Sequence, residues 1–167
     1  MGTIGISHDI TDRKRAERSL QEANSLLNAT LESTADGILV VNCHRKVASY
    51  NKKFLELWRI DPELMECGDD RTVLKTILSQ LENPSAFVAK VDELYDAPHA
   101  DSWDVLKFRD GRHFERYSQP QRIGSEIVGR VWSFRDITER KRTEETNARL
   151  VKAVEHASET IFITDRT

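Results

Sequence analysis

Four side chains in the second half of the chain are candidates for contact with a ligand: Trp103, Arg116, Tyr117 and Trp132. A buried arginine requires an anion, and a buried tyrosine or tryptophan requires one hydrogen-bond partner. Each has an alternative interpretation, because Arg116 can point to solvent and the aromatic rings can simply fill a core. We predict a ligand site at these residues and keep both interpretations open.

Catalytic and metal-binding patterns find little support in the sequence. Ser7-His8-Asp9 is superficially similar to the phosphoacceptor site of a histidine kinase, but the residues after it recur later with Arg135 in place of the histidine. No Ser/His/Asp or paired-carboxylate arrangement follows from spacing alone. Cys43 and Cys67 make neither a disulfide framework nor a metal site. We therefore expect no enzymatic activity and no metal in this segment.

The composition limits the classes of partner. The chain has 167 residues, 38% of them apolar, and a net charge of −3, so a large nucleic-acid surface is not expected. The basic triplets at 13–15 and 140–142 are each followed by acidic residues and fit a solvated helix face. No apolar run reaches the roughly 18 residues that a membrane span requires. The cysteines indicate a reducing compartment, and we predict a cytoplasmic location.

A charged heptamer occurs twice, as Asp9-Ile10-Thr11-Asp12-Arg13-Lys14-Arg15 and as Asp136-Ile137-Thr138-Glu139-Arg140-Lys141-Arg142. Each copy follows a run that predicts a strand and precedes a helical pattern. The threonine is predicted to cap the helix, worth about 1 kcal/mol. The aspartate is predicted to pair with the arginine four residues on and to fix the angle between strand and helix. We predict that this corner relays a signal through Asp136, Ile137, Thr138 and Arg140, and in the first copy through Asp9, Thr11 and Arg13.

The helical patterns after the two copies each carry a narrow seam that steps by four and three residues. Its members are Ala16, Leu20, Ala23, Leu27, Thr30 and Thr34 in the first helix, and Thr143, Asn147, Leu150, Val154, Ala157 and Ile161 in the second. Such a seam favours a parallel two-helix contact, and hence a homodimer through these helices. The alternative is an amphipathic helix folded back on its own sheet.

Between the long helices, the sequence predicts two short strands, a helical middle and three further strands. The strands are placed at 38–42, 46–50, 102–109, 112–119 and 127–135. Asn51 is a good N-cap, and Pro84 after Asn83 suits the first position of a helix. Asp110-Gly111 is a strong hairpin signal, and Pro120 is expected to end regular pairing or to lie at an edge.

Both ends of this region resemble PAS domains, the sensory modules found in tandem in bacterial histidine kinases and diguanylate cyclases. The resemblance rests on Asp136-Ile137-Thr138-Glu139-Arg140-Lys141 and on Ala35-Asp36-Gly37-Ile38 with Asn51, and it covers about residues 30–145. It implies an α+β fold with a five-stranded antiparallel sheet, helices on one face and a connector helix at each end. The family usually has glycine near Arg45, so the turn at 43–45 is expected to take a different form.

The resemblance divides the chain into five segments. Residues 1–11 are expected to be the last strand of a preceding PAS domain, 12–34 a connector helix, 35–138 the PAS domain, 139–158 a second connector helix and 159–167 the first strand of a following PAS domain. Separated from its own sheet, the first strand is expected to lack order or to pair with another copy of the chain.

The resemblance also implies a function. A PAS sensor detects a small ligand or a redox cue in a cavity between sheet and helices, and relays it through its C-terminal helix to a downstream output domain. The alternative is a ligand-free dimerising spacer in a PAS array. The cofactor is unknown: the helical middle has no histidine for heme and no flavin-type reactive-cysteine motif, and Cys67 is interpreted as an ordinary thiol. The expected partners are adjacent PAS and output domains, without nucleic acid or membrane for this segment.

Overall fold

The computed structural model describes residues 5–66 and 70–164, with side-chain surroundings for residues 9–65 and 72–157. Its elements are α1 (Gly5–Glu32), β1 (Gly37–Asn42), β2 (Val47–Tyr50), α2 (Lys52–Trp58), α3 (Pro62–Glu66), α4 (Asp70–Gln80), α5 (Pro84–Asp96), β3 (Ser102–Lys107), β4 (His113–Ile123), β5 (Glu126–Asp136) and α6 (Thr138–Thr164). The predicted break at 67–69, including Cys67, lies outside the described residues.

The five strands form one antiparallel sheet in the order β2-β1-β5-β4-β3. β5 lies at the centre and pairs with β1 on one side and with β4 on the other. The predicted hairpin between β3 and β4 is present, and Gly111 in its turn has φ 84°, a conformation that glycine adopts without steric cost. The predicted α+β class with a five-stranded antiparallel sheet is confirmed.

The core lies between the inner face of the sheet and the helices α2 to α5. Trp58 of α2 is fully buried, and its ring centroid lies 5.1 Å from those of Phe108 and Phe134. Burying an aromatic or aliphatic side chain of this size contributes roughly 1.5–3 kcal/mol. The cluster of rings around Trp58 therefore holds α2 against β5 at the centre of the sheet and against the residue that follows β3 at its edge.

Both predicted asparagine caps are confirmed. The Asn51 side chain accepts a hydrogen bond from the Phe54 amide at 2.9 Å, and that of Asn83 accepts one from the Ala86 amide at 3.0 Å. Each bond satisfies one of the orphan amides in the first turn of its helix. Pro84 occupies the first turn of α5, where a backbone N–H has no partner within the helix, so the absence of one in proline costs no hydrogen bond.

β4 continues past its predicted end at 119 and includes Pro120. The pairing of β3 with β4 stops at Ser102 and Ser118, whereas the pairing of β4 with β5 continues to Ile123. Pro120 therefore lies where β4 has become an edge strand, which is one of the positions that the sheet tolerates for proline.

The strands predicted at the two termini are not present in the described residues. Residues 5–10 belong to α1 and residues 159–164 to α6, while 1–4 and 165–167 lie outside the described part of the chain. A lone strand would leave its backbone groups unpaired, whereas each residue added to an existing helix gains one hydrogen bond. The helices therefore extend into both segments in this chain.

The two long helices project away from the sheet. Residues 9–30 of α1 and 142–157 of α6 are exposed without exception. Leu20 and Leu27 on the first seam are 64% and 63% exposed, and Leu150 and Val154 on the second are 59% and 65% exposed. The alternative in which the first helix folds back on its own sheet is therefore wrong for these residues.

Candidate functional site

A cavity of about 230 Å³ lies between α4, α5 and the half of the sheet formed by β2, β1 and β5. Apolar side chains make most of its wall, among them Leu39, Val41, Ile77, Val88 and Val91. Their positions follow from the alternation of the strands and the inner stripes of the helices, which turn the same residues toward the core. A mostly apolar concavity with few polar groups is the usual form of a small-molecule site.

Two aromatic residues of β5 form the floor of this cavity. Trp132 and Phe134 are 4% and 3% exposed, lie two residues apart and point to the same face of the sheet. β5 ends at Asp136, and α6 begins at Thr138. The floor of the cavity is therefore carried by the strand that leads into the C-terminal helix.

Three polar residues lie at the mouth. Arg45 Nη1 donates to Asp92 Oδ1 at 2.9 Å, and its guanidinium carbon lies 4.5 Å from the centre of the Tyr95 ring. Burial raises the pKa of the Tyr95 phenol above its ordinary value. Arg45 has φ 63°, so the turn between β1 and β2 keeps the positive φ usual for glycine although an arginine occupies the position.

The four predicted ligand residues fall into two pairs on opposite faces of the sheet. Arg116 and Trp132 are buried on the inner face, whereas Trp103 and Tyr117, directly opposite each other on β3 and β4, are 62% and 40% exposed. Trp103 and Tyr117 lie on the face of the sheet away from the cavity, because odd and even positions of a strand point to opposite faces. They therefore cannot contact a ligand in the cavity. Of the four predicted ligand residues, only Trp132 lines the cavity.

Arg116 has its anion within the protein. Its Nε donates to Asp104 Oδ1 at 2.8 Å, and its second bond reaches Asp104 Oδ2. The guanidinium carbon lies 4.7 Å from the Phe87 ring centre, while Nη1 has no hydrogen-bond partner. Arg116 is therefore a buried ion-paired residue in the core, beside the cavity rather than in it.

Arg130 is a buried residue that was not predicted from the sequence. Its guanidinium donates to the carbonyl oxygens of Leu94, Pro98 and Ala100 at 3.0–3.1 Å and to the Ser118 hydroxyl at 3.0 Å. Burial lowers its pKa. The carbonyls at the end of α5 carry the negative end of the helix dipole, so this cation fastens α5 to β5.

The corner where α1 meets the sheet is built around Asn51, which is fully buried. Its side-chain nitrogen donates to the carbonyl oxygens of Leu31 and Asp36 at 2.9 Å, and its oxygen accepts from the Ile38 amide at 2.8 Å. The Glu32 carboxylate accepts from the amide of Lys52, the first residue of α2. One side chain therefore joins the end of α1, the start of β1 and the first turn of α2.

The corner where β5 meets α6 differs from its prediction in two contacts. The Thr138 hydroxyl accepts from the His113 amide at 3.0 Å instead of capping its own helix, and the Asp136 carboxylate accepts from the Thr138 amide at 2.9 Å. Arg140 forms its ion pair with Glu115 of β4 and not with Asp136. The predicted cap and the predicted aspartate–arginine pair are thus wrong, because α6 begins one residue earlier and faces β4.

Ile137 connects the two elements at this corner. It is 4% exposed, its amide donates to the His113 carbonyl at 2.9 Å, and its carbonyl accepts from the Lys141 amide at 2.9 Å. The residue thus extends the pairing with β4 and also accepts the first hydrogen bond of α6. Ile137 and Thr138, two of the four relay residues predicted at this corner, both lie at the junction.

A single carboxylate links the two corners. Asp36 accepts two hydrogen bonds from Arg135, from Nε at 2.8 Å and from Nη2 at 2.9 Å, and a weaker one from Ser133 at 3.3 Å. The same interaction raises the pKa of Arg135. Because the Asp36 carbonyl also accepts from Asn51, the entry and exit of the domain are in direct contact.

The first copy of the heptamer does not form such a corner in this chain. Asp9, Thr11 and Arg13 lie inside α1, so Thr11 does not occupy an N-cap. Arg13 pairs with Glu17 at 3.2 Å, one turn further along, and not with Asp9. The first copy is therefore not equivalent to the second, because it lies within a continuous helix whereas the second copy follows a paired strand.

Two other classes of site are absent from the described residues. No group of three or more His, Cys, Asp or Glu side chains in the described part of the chain is arranged to hold a metal ion. Within the same residues, no helix is long and apolar enough to cross a membrane.

The sheet order and the one-sided packing of α2 to α5 are those of the PAS fold. The PAS domain of an HTR-like protein from Haloarcula marismortui is 21% identical, with a TM-score of 0.54, and the match covers 74% of this chain and 99% of that one. The PAS domain of Bordetella pertussis BvgS is 15% identical, with a TM-score of 0.54 and coverage of 79% and 98%.

The sensor region of a sensor histidine kinase is 18% identical, with a TM-score of 0.49, and the match covers 63% of this chain but 40% of that one. This chain thus spans less than half of the kinase sensor region that it matches. No family model and no curated protein matches the chain. At these identities the likeness shows the fold, and the chain has the fold of the PAS domains.

Proposed function

We propose that this chain is a sensory module that binds a small molecule in the cavity and relays binding through β5 to α6. The observation that carries the proposal is the position of Trp132 and Phe134, which form the cavity floor on the strand that runs into α6. A ligand that shifts either ring displaces β5. The end of β5 is bonded to the start of α6, so the helix moves with it.

The relay in this proposal runs through the β5–α6 corner. The Asp136 carboxylate accepts from the Thr138 amide, and the Thr138 hydroxyl accepts from the His113 amide. Arg140 binds Glu115 on β4. Because these bonds attach the first turn of α6 to two strands, a shift of β5 against β4 changes the direction of the helix. Asp36 and Arg135 extend the same coupling to α1.

We propose further that the chain forms a homodimer through α1 and α6. Four exposed seam residues support this proposal: Leu20, Leu27, Leu150 and Val154. Isolated exposed leucines are common on protein surfaces, but a repeat of apolar residues on one side of a long, unpacked helix is typical of a coiled coil. In the parent protein we expect neighbouring PAS and output domains, such as those of a histidine kinase or diguanylate cyclase, and a cytoplasmic location.

The sensing proposal is tested by native mass spectrometry of the purified chain, followed by a small-molecule screen. We expect a bound molecule and, on binding, slower hydrogen exchange of the amides at 137–141. Val88→Phe places a ring in the cavity and should abolish binding, whereas Val131→Phe adds the same ring on the outer face and should not. Binding that survives Val88→Phe unchanged would contradict the proposal.

A ligand-free spacer is the second candidate, and one contact favours it. The bond between Asp36 and Arg135 joins the two ends of the domain without passing through the cavity. A spacer would transmit movement from α1 to α6 along this route. The spacer is the better account if no ligand is found and if Val88→Phe leaves the domain with the same stability and oligomeric state.

The dimer is tested by sedimentation velocity with two charge substitutions on α6. Leu150→Lys places a charge in the predicted seam, and Val151→Lys places one on an equally exposed apolar residue next to it. We expect the first variant to dissociate and the second to remain a dimer. Equal sedimentation of the two variants would show that the seam is not the interface.

A further inference from the structure

The size of the cavity limits what it can hold. An apolar cavity of about 150 Å³ is large enough for benzene, and this cavity measures about 230 Å³. A molecule with one substituted ring or two fused rings therefore fits within the cavity, whereas a nucleotide-sized cofactor would extend beyond it. This inference rests on the proposed function, because it describes the ligand of the same site.

The walls favour an aromatic ligand over an aliphatic one. Phe54, Phe87, Trp132 and Phe134 contribute rings from two helices and from β5. Offset and edge-to-face contacts between rings are worth about 0.5–1.5 kcal/mol beyond the area that they bury. A flat aromatic molecule can make several such contacts at once in this cavity.

The charges at the mouth favour a neutral ligand. Among the described residues that line the cavity, only Arg45 and Asp92 carry a charge, and they are paired with each other at 2.9 Å. A ligand carboxylate would lose its hydration and find Arg45 already neutralised. Removing a charge from water without a new partner costs several kcal/mol, so the apolar interior of the cavity disfavours an anionic ligand, and Arg45, which with Asp92 is about half exposed, is already paired at the mouth.

Arg45 is positioned so that a ligand at the cavity mouth would contact the Arg45–Asp92 pair. Its guanidinium lies over the Tyr95 ring at 4.5 Å and spans from the β1–β2 turn to α5. A residue held in the left-handed conformation costs of order 1 kcal/mol or more, and such positions often occur at ligand clamps. Arg45 thus bridges the β1–β2 turn and α5 at the mouth of the cavity.

We propose that the cavity accepts a neutral aromatic molecule of one or two rings, and that the paired Arg45 and Asp92 at its mouth exclude anionic analogues. A hydroxyl or carbonyl group on the ligand would lie at this mouth, where Asp92 can accept a hydrogen bond and Arg45 can donate one. Asp92 is a specificity-determining residue in this proposal because it neutralises the arginine.

The test compares two probes of nearly equal size by isothermal titration calorimetry at neutral pH. Indole-3-ethanol is neutral, and indole-3-acetate carries a carboxylate on the same ring system. We expect the wild-type chain to bind the alcohol at least tenfold more tightly than the acid. Equal affinity for the two probes, tighter binding of the acid or no binding of the alcohol would each overturn the proposal.

Asp92→Asn releases the charge of Arg45 without changing the size of the side chain. We expect this variant to bind indole-3-acetate about tenfold more tightly than the wild type does and so to narrow the preference for the alcohol. Asp96→Asn, an exposed substitution four residues along α5, serves as the matched control and should leave both affinities unchanged. An unchanged preference in Asp92→Asn would refute the role of the pair.

The outcome also separates this inference from the sensing proposal. If native mass spectrometry finds a bound anionic or aliphatic molecule that Val88→Phe displaces, the sensing proposal stands and the ligand class is wrong. If neither probe binds and no molecule copurifies or emerges from the screen, both are overturned. Val88→Phe should eliminate binding of the alcohol while its far-ultraviolet circular dichroism matches that of the wild type.

Discussion

Replacing Asn51 with alanine is expected to destabilise the domain by about 3 kcal/mol, which is more than the loss of an N-cap alone explains. The cap to Phe54 accounts for about 1 kcal/mol. The Ile38 amide loses its acceptor, at a cost of about 1–3 kcal/mol if it stays buried without a partner. The carbonyls of Leu31 and Asp36 lose a donor as well.

The matched control is Asn83→Ala, because Asn83 caps α5 through one bond to Ala86 and holds no second element. We expect it to cost about 1 kcal/mol. The free energy of unfolding of both variants is measured by urea titration with tryptophan fluorescence as the signal, since this signal includes the buried Trp58 and Trp132. For a domain of this size, about 3 kcal/mol corresponds to a fall in melting temperature on the order of 10 °C.

A third variant separates capping from the rest of the network. Asn51→Asp keeps an acceptor for Phe54 and is an equally good cap in helices generally. It replaces the amide donor with a carboxylate oxygen that faces the carbonyls of Leu31 and Asp36. We therefore expect it to be nearly as unstable as Asn51→Ala. If Asn51→Ala costs no more than Asn83→Ala, the interpretation of Asn51 as a joint between three elements is refuted.

Three further predictions concern the core and the cavity mouth. Asp104→Ala leaves Arg116 charged without its partner and should cost about 3 kcal/mol in urea unfolding, whereas the double variant with Arg116→Met should recover most of that loss. Gly129→Ala should destabilise the sheet by about 3 kcal/mol, because the added Cβ would collide with the Val41 carbonyl oxygen; wild-type stability would contradict the close approach of these two strands. Burial raises the pKa of Tyr95, so the folded chain holds this proton above pH ~10 where unfolded tyrosine releases it. Its urea midpoint should therefore fall relative to Tyr95→Phe as the pH rises past ~10, and parallel profiles would show that the phenol is not buried.

Local signals in the sequence were sufficient for most of the fold. The Asp110-Gly111 hairpin, the caps at Asn51 and Asn83 and the order of strands and helices follow from turn and cap chemistry that acts over a few residues. The strands predicted within residues 1–11 and 159–167 are helical in the described residues, because strand formation depends on a partner strand. The same motif therefore follows a paired strand in its second copy and lies inside a helix in its first.

The candidate site was harder to predict because it depends on which face each strand residue occupies. Alternation from Trp132 and Phe134 places Arg130 on the same inner face, so its burial is readable from the strand pattern. The same alternation separates Arg116 from Tyr117. The contact between Arg45 and Asp92 could not have been found, because it joins a turn and a helix that are distant in sequence.

The Asp36–Arg135 contact has a consequence for how such modules can be connected in series. The residues next to them, Gly37 and Phe134, are paired in the sheet, so the chain enters and leaves the domain side by side. In the tandem arrangement proposed above, torque on α1 would reach α6 across this one hydrogen-bonded step, and a ligand in the cavity would modulate the step. A longer helical segment between β2 and β3 would enlarge the cavity without changing the contact between Asp36 and Arg135.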